Sequence, residues 1–581
     1  MQRNKGTKRI GLIKEVAATG EILTDSLAQV CDMFKLKDSF GTFDDLKSRG
    51  YTLSSLLTTC TIMPFIGVAS IYSLFKHGII KEKDITAKKD AFYEAKNNEN
   101  IDWRCLLYLV AKRYKHLLIK DKKDGEKRVT AIVFDDTFVE KTGKGIEKVS
   151  VTYDHVTKRF ILGFKILVCG YWDGESFMPL DFSMHRERGS KREEVSNLYI
   201  KSIKTLRATK AVVLKQEEVL SQKQTRLTAA EQAYAMKPSI TNKKRVIQMN
   251  YVLHEAKNNL QSSTNQLIID EKVYRDAKLK LKRIYSHGHL FGLTAKERER
   301  QYKKLVSAKS YGYTRRREAD MSKGKSLIVM LKRAVKRGFI PRYVLTDSWF
   351  FSESLISNVK SIKNGCIDLI SMVKINNQVF NVGKEQKDVD VKTLLKNNER
   401  LAVRCKKLNA KYIKIDSNYK GMAVRLFFVK MGRTSTWHLI ATTDMTLSFI
   451  ALMEAYQIRW SVEIFFKESK QYLNLGQCKS SNFDAQIADT TIAMIQYTML
   501  SYCKRINYQT SFGDLFKGLN DERMQYNLLT QLKTLFWKLV DIFCFSAGFD
   551  FITIQRDMMQ NQDMIDEFAK LIPEGIFNKA A

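Results

Sequence analysis

The sequence lacks the cysteine patterns that bind structural zinc or form a disulfide framework. Its nine cysteines are scattered singly along 581 residues, with no Cys-x2-Cys pair and no cluster of cysteine and histidine. Neither a zinc site nor a disulfide-stabilised fold is therefore supported, and a reducing compartment suits such cysteines. The first fifteen residues, MQRNKGTKRIGLIKE, are basic but lack the apolar core of a signal peptide. We therefore expect a cytoplasmic protein.

A membrane span is also poorly supported. The stretch from Thr52 to Phe75 carries no charge over 24 residues, which is long enough to cross a bilayer. It nevertheless contains eight serines and threonines, together with Pro64 and Gly67 near its middle. This pattern predicts two short buried helices separated by a turn, and no membrane association.

Acidic residues are too few to balance the basic ones. The chain has 98 lysines and arginines against 62 aspartates and glutamates, which gives a formal net charge of +36. A field of this sign attracts polyanions, and it is larger than solubility alone requires. With 44% apolar and 11% aromatic residues, the chain is typical of a folded protein of several domains. We therefore expect a folded protein that binds nucleic acid.

The hydrophobic periodicity changes from helical to strand-like near residue 128. Residues 1–120 have short apolar-periodic segments, which predict a helical region that could bind DNA. Later segments alternate or are rich in β-branched residues and predict five strands, at 128–134, 148–155, 158–172, 342–350 and 368–375. The first of these strands ends in Asp135-Asp136, and the fourth ends in Asp347. The region 121–475 is therefore predicted to be an α/β domain with a mixed sheet flanked by helices.

Two insertions interrupt this predicted domain. Residues 186–303 carry apolar side chains at seven-residue spacing on both sides of Pro238, at Leu206, Val213, Leu220, Leu227 and Tyr234 and then at Val246, Leu253, Leu260, Leu267, Tyr274 and Leu281. This pattern predicts an antiparallel helical hairpin with arms of about 60–70 Å, with a single charged helix or a disordered linker as alternatives. Residues 376–447 predict a β-rich insertion, and 476–581 a mainly helical C-terminal region.

Carboxylates at neighbouring strand ends can come close enough to share divalent metal ions, whose charge makes that approach tolerable. Asp136, or Asp135 as its alternative, and Asp347 meet this description, and a helix glutamate could complete the set. A ligand set made only of oxygens suits Mg²⁺ or Mn²⁺. An aspartate at a strand end is also a common turn or helix cap, so neither position decides the chemistry by itself.

The stretch YQIRWSVEIFFKESK, residues 456–470, supplies the glutamate. On one continuous helix, with about 100° per residue, four of its side chains fall on a face about 60° wide: Tyr456, Arg459, Glu463 and Lys470. Such a face could simply be solvated. The combination of arginine, lysine and tyrosine around one acid is, however, typical of sites that act on phosphates, where the bases bind phosphate oxygens and the glutamate binds a metal.

This spacing, Tyr-x2-Arg-x3-Glu-x6-Lys, resembles the signature of the insertion-sequence transposases of the "four" family, which are DDE enzymes with an RNase H-like core. The segments FDDTFVEKTGKG and VLTDSWF resemble those around the first and second aspartates of that family. The resemblance covers about residues 120–475 and includes a β-rich insertion before the glutamate helix. It favours Asp136, the residue directly before threonine, over Asp135, and it does not account for the long helical hairpin.

The resemblance implies a cut-and-paste DNA transposase of a bacterial mobile element, associated with the nucleoid when it acts. Asp136, Asp347 and Glu463 would bind two Mg²⁺ or Mn²⁺ ions, and Tyr456, Arg459 and Lys470 would contact DNA. It also implies a homodimer on double-stranded DNA, with terminal inverted repeats and a target as substrates. Relatives cut the second strand through a DNA hairpin and stack a flipped base on an aromatic residue, for which Trp437 is the candidate. An RNase H-like nuclease or resolvase without strand transfer, and a DNA-binding protein derived from a transposase, remain alternatives.

Overall fold

The structure is a computed structural model, and its described residues form two compact units. It describes residues 25–66, 68, 70–76, 87–119, 128–154, 157–187, 190–286, 292–383, 387–432, 434, 436–506, 539, 540, 542–544, 550 and 553. The first unit comprises the described residues within Met1–Val139, Lys165–His185 and Lys303–Ala581. The second comprises those within Glu140–Phe164 and Arg186–Tyr302.

The N-terminal part of the first unit is helical, as predicted. Its helices are α1 (Asp25–Met33), α2 (Leu36–Gly41), α3 (Leu53–Ile62), α4 (Ile71–Lys76), α5 (Lys89–Lys96) and α6 (Trp103–Ile119). Every residue of α3 is buried, and Thr52 caps its first turn by accepting a hydrogen bond from the Ser55 amide at 3.3 Å. The uncharged stretch thus contains short helices, as expected. Among the described residues, no helix is long and apolar enough to cross a membrane.

A mixed sheet forms the centre of the first unit, and those of its residues that fall within Glu140–Phe164 belong to the second unit. Its strands are β1 (Ala131–Glu140), β3 (Arg159–Trp172), β4 (Phe177–His185), β5 (Tyr343–Thr346), β6 (Asp368–Val373), β7 (Val379–Val382), β8 (Lys387–Asp390), β9 (Val403–Cys405), β10 (Ala410–Tyr419), β11 (Met422–Met431) and β12 (His438–Thr442). The hydrogen-bonded order is β3-β1-β5-β6-β12-β11-β10-β7-β8, with β4 added to β3 and β9 to β10. The predicted α/β fold is therefore confirmed, and it is consistent with an RNase H-like transposase fold. The β-rich segment continues this same sheet through β12 and β6.

The strands that carry the candidate aspartates are direct neighbours. β1 and β5 run parallel, with Ala131 opposite Tyr343 and Val133 opposite Leu345. β5 ends at Thr346, so Asp347 follows it directly, as predicted. β1 instead continues to Glu140, which places Asp135 and Asp136 within the strand and not at its end. The prediction of the strand end was wrong here because residues 137–140 extend the strand beyond the apolar run.

Helices cover the sheet and bring distant segments of sequence together. They are α10 (Tyr311–Ala319), α11 (Lys323–Lys336), α12 (Glu353–Ser361), α13 (Val391–Asn398), α14 (Phe449–Gln457), α15 (Trp460–Tyr472) and α16 (Phe483–Ile506). α6, α10, α11 and α16 pack on β4, whereas α12 and α14 pack on β6. The helical C-terminal prediction is confirmed for α16. Most of the predicted helical region after Ile506 lies outside the described residues.

Strand β4 was not predicted, and it carries a buried charge cluster. Asp181 has no exposed surface, and it accepts a hydrogen bond from Arg104 Nε at 2.8 Å and one from Arg333. Arg315 lies 3.7 Å away, and Glu318 shares the same arginines. The attraction of these arginines outweighs the burial that would raise the pKa of Asp181, so this pKa lies below its ordinary value. The cluster anchors α6, α10 and α11 to the sheet.

The second unit contains the predicted helical hairpin. Helices α7 (Ser190–Met236) and α8 (Ile240–Ser286) have 47 residues each, about 70 Å at ~1.5 Å per residue, and they pack against each other. Of the predicted heptad residues, Val213, Leu227 and Leu253 are buried. Thr209 donates a 2.6 Å hydrogen bond to buried Asp270, which sets the register of the two helices. The same unit contains the short helix α9 (Ala295–Glu299) and strand β2 (Ser150–Asp154), which pairs antiparallel with Arg159–Gly163 of β3.

Candidate active site

The structure brings the predicted carboxylates into one neighbourhood of the first unit. Asp135 and Asp136 lie on β1, Asp347 follows the adjacent strand β5, and Glu463 lies in the first turn of α15. Asp135 is close enough to Asp347 and Asp136 to be repelled by both, and Asp347 is repelled by Asp136. Residues separated by more than 300 positions in the sequence thus share one electrostatic environment.

Arg459 links the glutamate to the first strand. Its Nη1 donates to Asp135 Oδ2 at 2.9 Å, and its Nη2 donates to Glu463 Oε1 at 2.5 Å. All three side chains are largely buried, because at most 32% of any one of them is exposed. A guanidinium has a fixed fork of donors, so one arginine can hold two carboxylates at a defined separation. Arg459 therefore positions Glu463 relative to β1.

Tyr456 and Lys470 also contact the two aspartate-bearing strands. The Tyr456 hydroxyl donates to the backbone oxygen of Thr346 at 3.4 Å, next to Asp347. Lys470 Nζ donates to Thr137 Oγ1 at 2.7 Å and to the Phe138 backbone oxygen at 2.9 Å, just beyond Asp136. Each basic or hydroxyl-bearing residue of the predicted signature thus has a protein partner on β1 or β5. Together these contacts hold the glutamate helix against the site.

The prediction of one continuous helix through residues 456–470 was wrong. α14 ends at Gln457 and α15 begins at Trp460, with Ile458 and Arg459 between them. The Ser461 amide donates to the Ile458 carbonyl at 3.0 Å, three residues back, so the connection is a tightened turn. No glycine or proline marks this break. Val462 and Phe465 of α15 are nevertheless fully buried.

Burial and mutual repulsion shift the acid strength of two of these carboxyls. Burial raises the pKa of Asp135 to about 7, against the opposing attraction of Arg459. Burial and the charge of Asp136 also raise the pKa of Asp347, although the Trp349 amide donates to its Oδ1 at 3.0 Å. Negative charge is thus unfavourable at Asp135 and at Asp347. Clustered carboxylates with perturbed pKa values are characteristic of functional sites.

Two residues at this site were not predicted from the sequence. Lys323, the first residue of α11, forms an ion pair with Asp136, and its Nζ lies 4.0 Å from the centre of the Trp349 ring. Trp349 is 51% exposed and follows Asp347 by two residues. No sequence spacing marks Lys323, because the contact with Asp136 joins positions 187 apart. Trp349, by contrast, could have been identified from its place in the motif VLTDSWF.

The chemical type of the donor atoms at this site suits a hard divalent cation. Asp135, Asp136, Asp347 and Glu463 offer oxygen ligands only, as Mg²⁺ and Mn²⁺ prefer. In the described part of the chain, no three histidine, cysteine, aspartate or glutamate side chains are arranged so that they could hold a metal ion. Three of these four carboxylates instead contact Arg459 or Lys323.

The structure places Trp437 apart from these contacts. It lies directly before β12, and its Nε1 donates to Glu399 Oε1 at 3.2 Å, while Lys430 Nζ lies 5.8 Å from its ring centre. The described contacts of Trp437 include none of the candidate carboxylates. Its predicted role in stacking on a flipped base therefore stays a prediction.

Comparison with known proteins gives a family match over part of the chain. Residues 306–499 match a family whose description is "Transposase DDE domain". The matched range includes Asp347 and the whole segment 456–470, while Asp135 and Asp136 precede it. A search of the curated proteins gave no match for the chain. The match supports a DDE transposase domain in this part of the protein.

Proposed function

We propose that the chain is a cut-and-paste DNA transposase of the insertion-sequence "four" family, with residues 121–475 as its catalytic region. The observation that carries the proposal is the bridge from Arg459 to Asp135 and Glu463, since it joins the glutamate helix to the strand beside Asp347. The match to a transposase DDE domain over this glutamate helix agrees with it. The net charge of +36 suits a double-stranded DNA substrate.

The proposed reaction has two steps that use the same carboxylates. Asp136, Asp347 and Glu463 would hold two Mg²⁺ or Mn²⁺ ions, with Asp135 as the alternative to Asp136. Such ions supply Lewis acidity at the scissile phosphate. The chain would bind the inverted repeats of the element as a homodimer and orient water to hydrolyse one strand. It would then align the freed 3′ hydroxyl for attack on a target phosphodiester, with no covalent protein intermediate.

The experiment uses conservative variants of two residues that the family match covers. Asp347→Asn and Glu463→Gln keep the shape of each side chain but remove its charge, so we expect DNA-end binding to persist while cleavage in Mg²⁺ falls by at least 100-fold. Incubation with the DNA that flanks the gene, followed by a denaturing gel, separates nicks, hairpins and joined products. Wild-type cleavage by either variant would remove that residue from the site.

The same gel distinguishes the alternatives. A nuclease or resolvase without strand transfer would produce nicks but no joined products. A DNA-binding protein derived from a transposase would bind the ends and produce neither. The presence of Asp136, Asp347 and Glu463 favours the transposase, because a protein that only binds DNA has no need of clustered carboxylates whose negative charge repels the DNA backbone.

A further inference from the structure

The tip of the helical hairpin exposes an unusual amount of apolar surface. Four large side chains there are mostly in solvent: Met236 is 88% exposed, Ile240 78%, Ile247 61% and Tyr251 72%. With about 100° per residue, Ile240, Ile247 and Tyr251 fall within about 40° of one another on α8. Soluble proteins seldom leave such a stripe uncovered unless it contacts a partner.

The charge around this stripe identifies the kind of partner. Lys237, Lys243, Lys244 and Arg245 are all exposed, and no acidic residue occurs between Glu231 and Glu255. Helix arithmetic places Lys243 and Lys244 within about 60° of Ile240, so the cations border the apolar stripe. A second copy of the same tip would be repelled by this charge. A polyanion would be attracted.

The hairpin can present this tip at a distance. Its arms are about 70 Å long at ~1.5 Å per residue, and the buried hydrogen bond from Thr209 to Asp270 resists sliding of one helix along the other. A helical arm of this length equals the length of about twenty base pairs of duplex, at ~3.4 Å per base pair. The tip therefore suits contact with DNA that lies far from β2, the strand of the same unit.

We propose that the tip of the hairpin, residues 236–251, is a DNA-duplex binding site. Lys237, Lys243 and Lys244 contact backbone phosphates, while Met236 and Ile240 enter the groove between them. Basic side chains combined with inserted apolar ones are the usual means by which proteins bind and bend a duplex without reading its sequence. This inference goes beyond the proposed catalysis, which needs only the carboxylates of the first unit.

The test compares two triple variants of the full-length protein. The tip variant Lys237→Gln, Lys243→Gln, Lys244→Gln is matched by Lys215→Gln, Arg226→Gln, Lys257→Gln, which removes the same charge from exposed positions elsewhere on the hairpin. Affinity for a 40-base-pair duplex of the gene's flanking DNA is measured by fluorescence anisotropy in EDTA at several salt concentrations. Each lost phosphate contact lowers the slope of log K against log salt by about 0.9, so we expect a fall of about 2.7 for the tip variant. The control should keep the wild-type slope.

A second measurement tests the apolar contacts. Met236→Ser with Ile240→Ser should leave the salt slope unchanged but reduce bending of a duplex labelled at both ends, measured by energy transfer. Equal salt slopes for the tip variant and its control would overturn the proposal. The proposal would also be overturned if the tip variant kept the wild-type salt slope but changed its oligomeric state, or lost binding to vesicles that contain phosphatidylserine. Failure of the wild-type protein to bind the duplex would instead count against the proposed transposase function itself.

Discussion

Asp135→Asn should make the protein more stable, and increasingly so as the pH rises. Burial raises the pKa of this carboxyl in the folded protein to about 7, from an ordinary value of 3.8. Between these values the folded state keeps a proton that the unfolded state has lost, so the free energy of unfolding falls as the pH rises. At about 1.4 kcal/mol per pKa unit, the shift of about 3 units corresponds to at most about 4 kcal/mol. Asparagine cannot titrate and avoids this cost.

Asp181→Asn provides a control of opposite sign. Its carboxylate is fully buried against Arg104, Arg315 and Arg333, and its pKa lies below the ordinary value. A lowered pKa contributes stability that is present above about pH 4 and is lost as the pH falls further. Removing this charge leaves the arginines without their carboxylate partner, which costs about 3–5 kcal/mol at neutral pH. Both variants replace one aspartate with asparagine, so the chemical change in the two chains is the same.

Urea unfolding followed by circular dichroism, in EDTA at pH 5, 6, 7 and 8, separates the two effects. The stability difference between Asp135→Asn and the wild type should grow across pH 5 to 7 and level off by pH 8. The deficit of Asp181→Asn should stay nearly constant over this range. A difference for Asp135→Asn that does not change with pH would refute the reasoning that its negative charge is unfavourable in the folded site.

Three further predictions concern other parts of the chain. Arg459→Ala should weaken binding to cleaved ends and lower its salt slope by about 1, measured by anisotropy, if the arginine also reaches phosphate. Replacing residues 205–282 with a short glycine linker should leave DNA cleavage, measured on the denaturing gel, intact. It should reduce the assembly of paired DNA ends, measured as the loss of a slowly migrating band in native electrophoresis. Gly476→Ala should lower the thermal midpoint, because Gly476 has φ +90° and an added Cβ would lie 2.6 Å from Val139 Cγ1. Unchanged slope, assembly or midpoint would contradict these expectations in turn.

Local patterns in the sequence were sufficient to predict most elements around the site. β1, β5 and β6 coincide with apolar runs rich in β-branched residues, and α12 begins after Ser352, which accepts a hydrogen bond from the Leu355 amide at 3.3 Å. β4 was missed because Pro179 and Asp181 interrupt its apolar run. The proline is tolerated at a bulge opposite Gly170, and the aspartate is neutralised by arginines from three helices. Neither compensation is visible in the local sequence.

The choice between Asp135 and Asp136 shows a second limit of the sequence. Successive side chains of a strand point to opposite faces, so only one of the two can face a given helix. In the structure Arg459, which directly precedes the glutamate helix α15, contacts Asp135, whereas Asp136 contacts Lys323 of α11. Which helix covers which face depends on packing between segments more than 180 residues apart. The motif alone therefore favoured Asp136 without revealing that the two carboxylates have different cationic partners.

The basic residues around Glu463 also acquire a second role from the structure. The sequence suggested that Arg459 and Lys470 bind phosphates, yet both contact β1 in the structure. A cation bound to Asp135 and Glu463 would weaken their ion pairs with Arg459, because the Coulomb attraction in a buried site depends on the net charge of each partner. Arg459 could then turn one donor pair toward a phosphate while the Tyr456 and Lys470 contacts kept α14 and α15 in place. If Arg459 contacts DNA, as the proposed function expects, the same guanidinium would position the glutamate before the substrate binds and contact a phosphate afterwards.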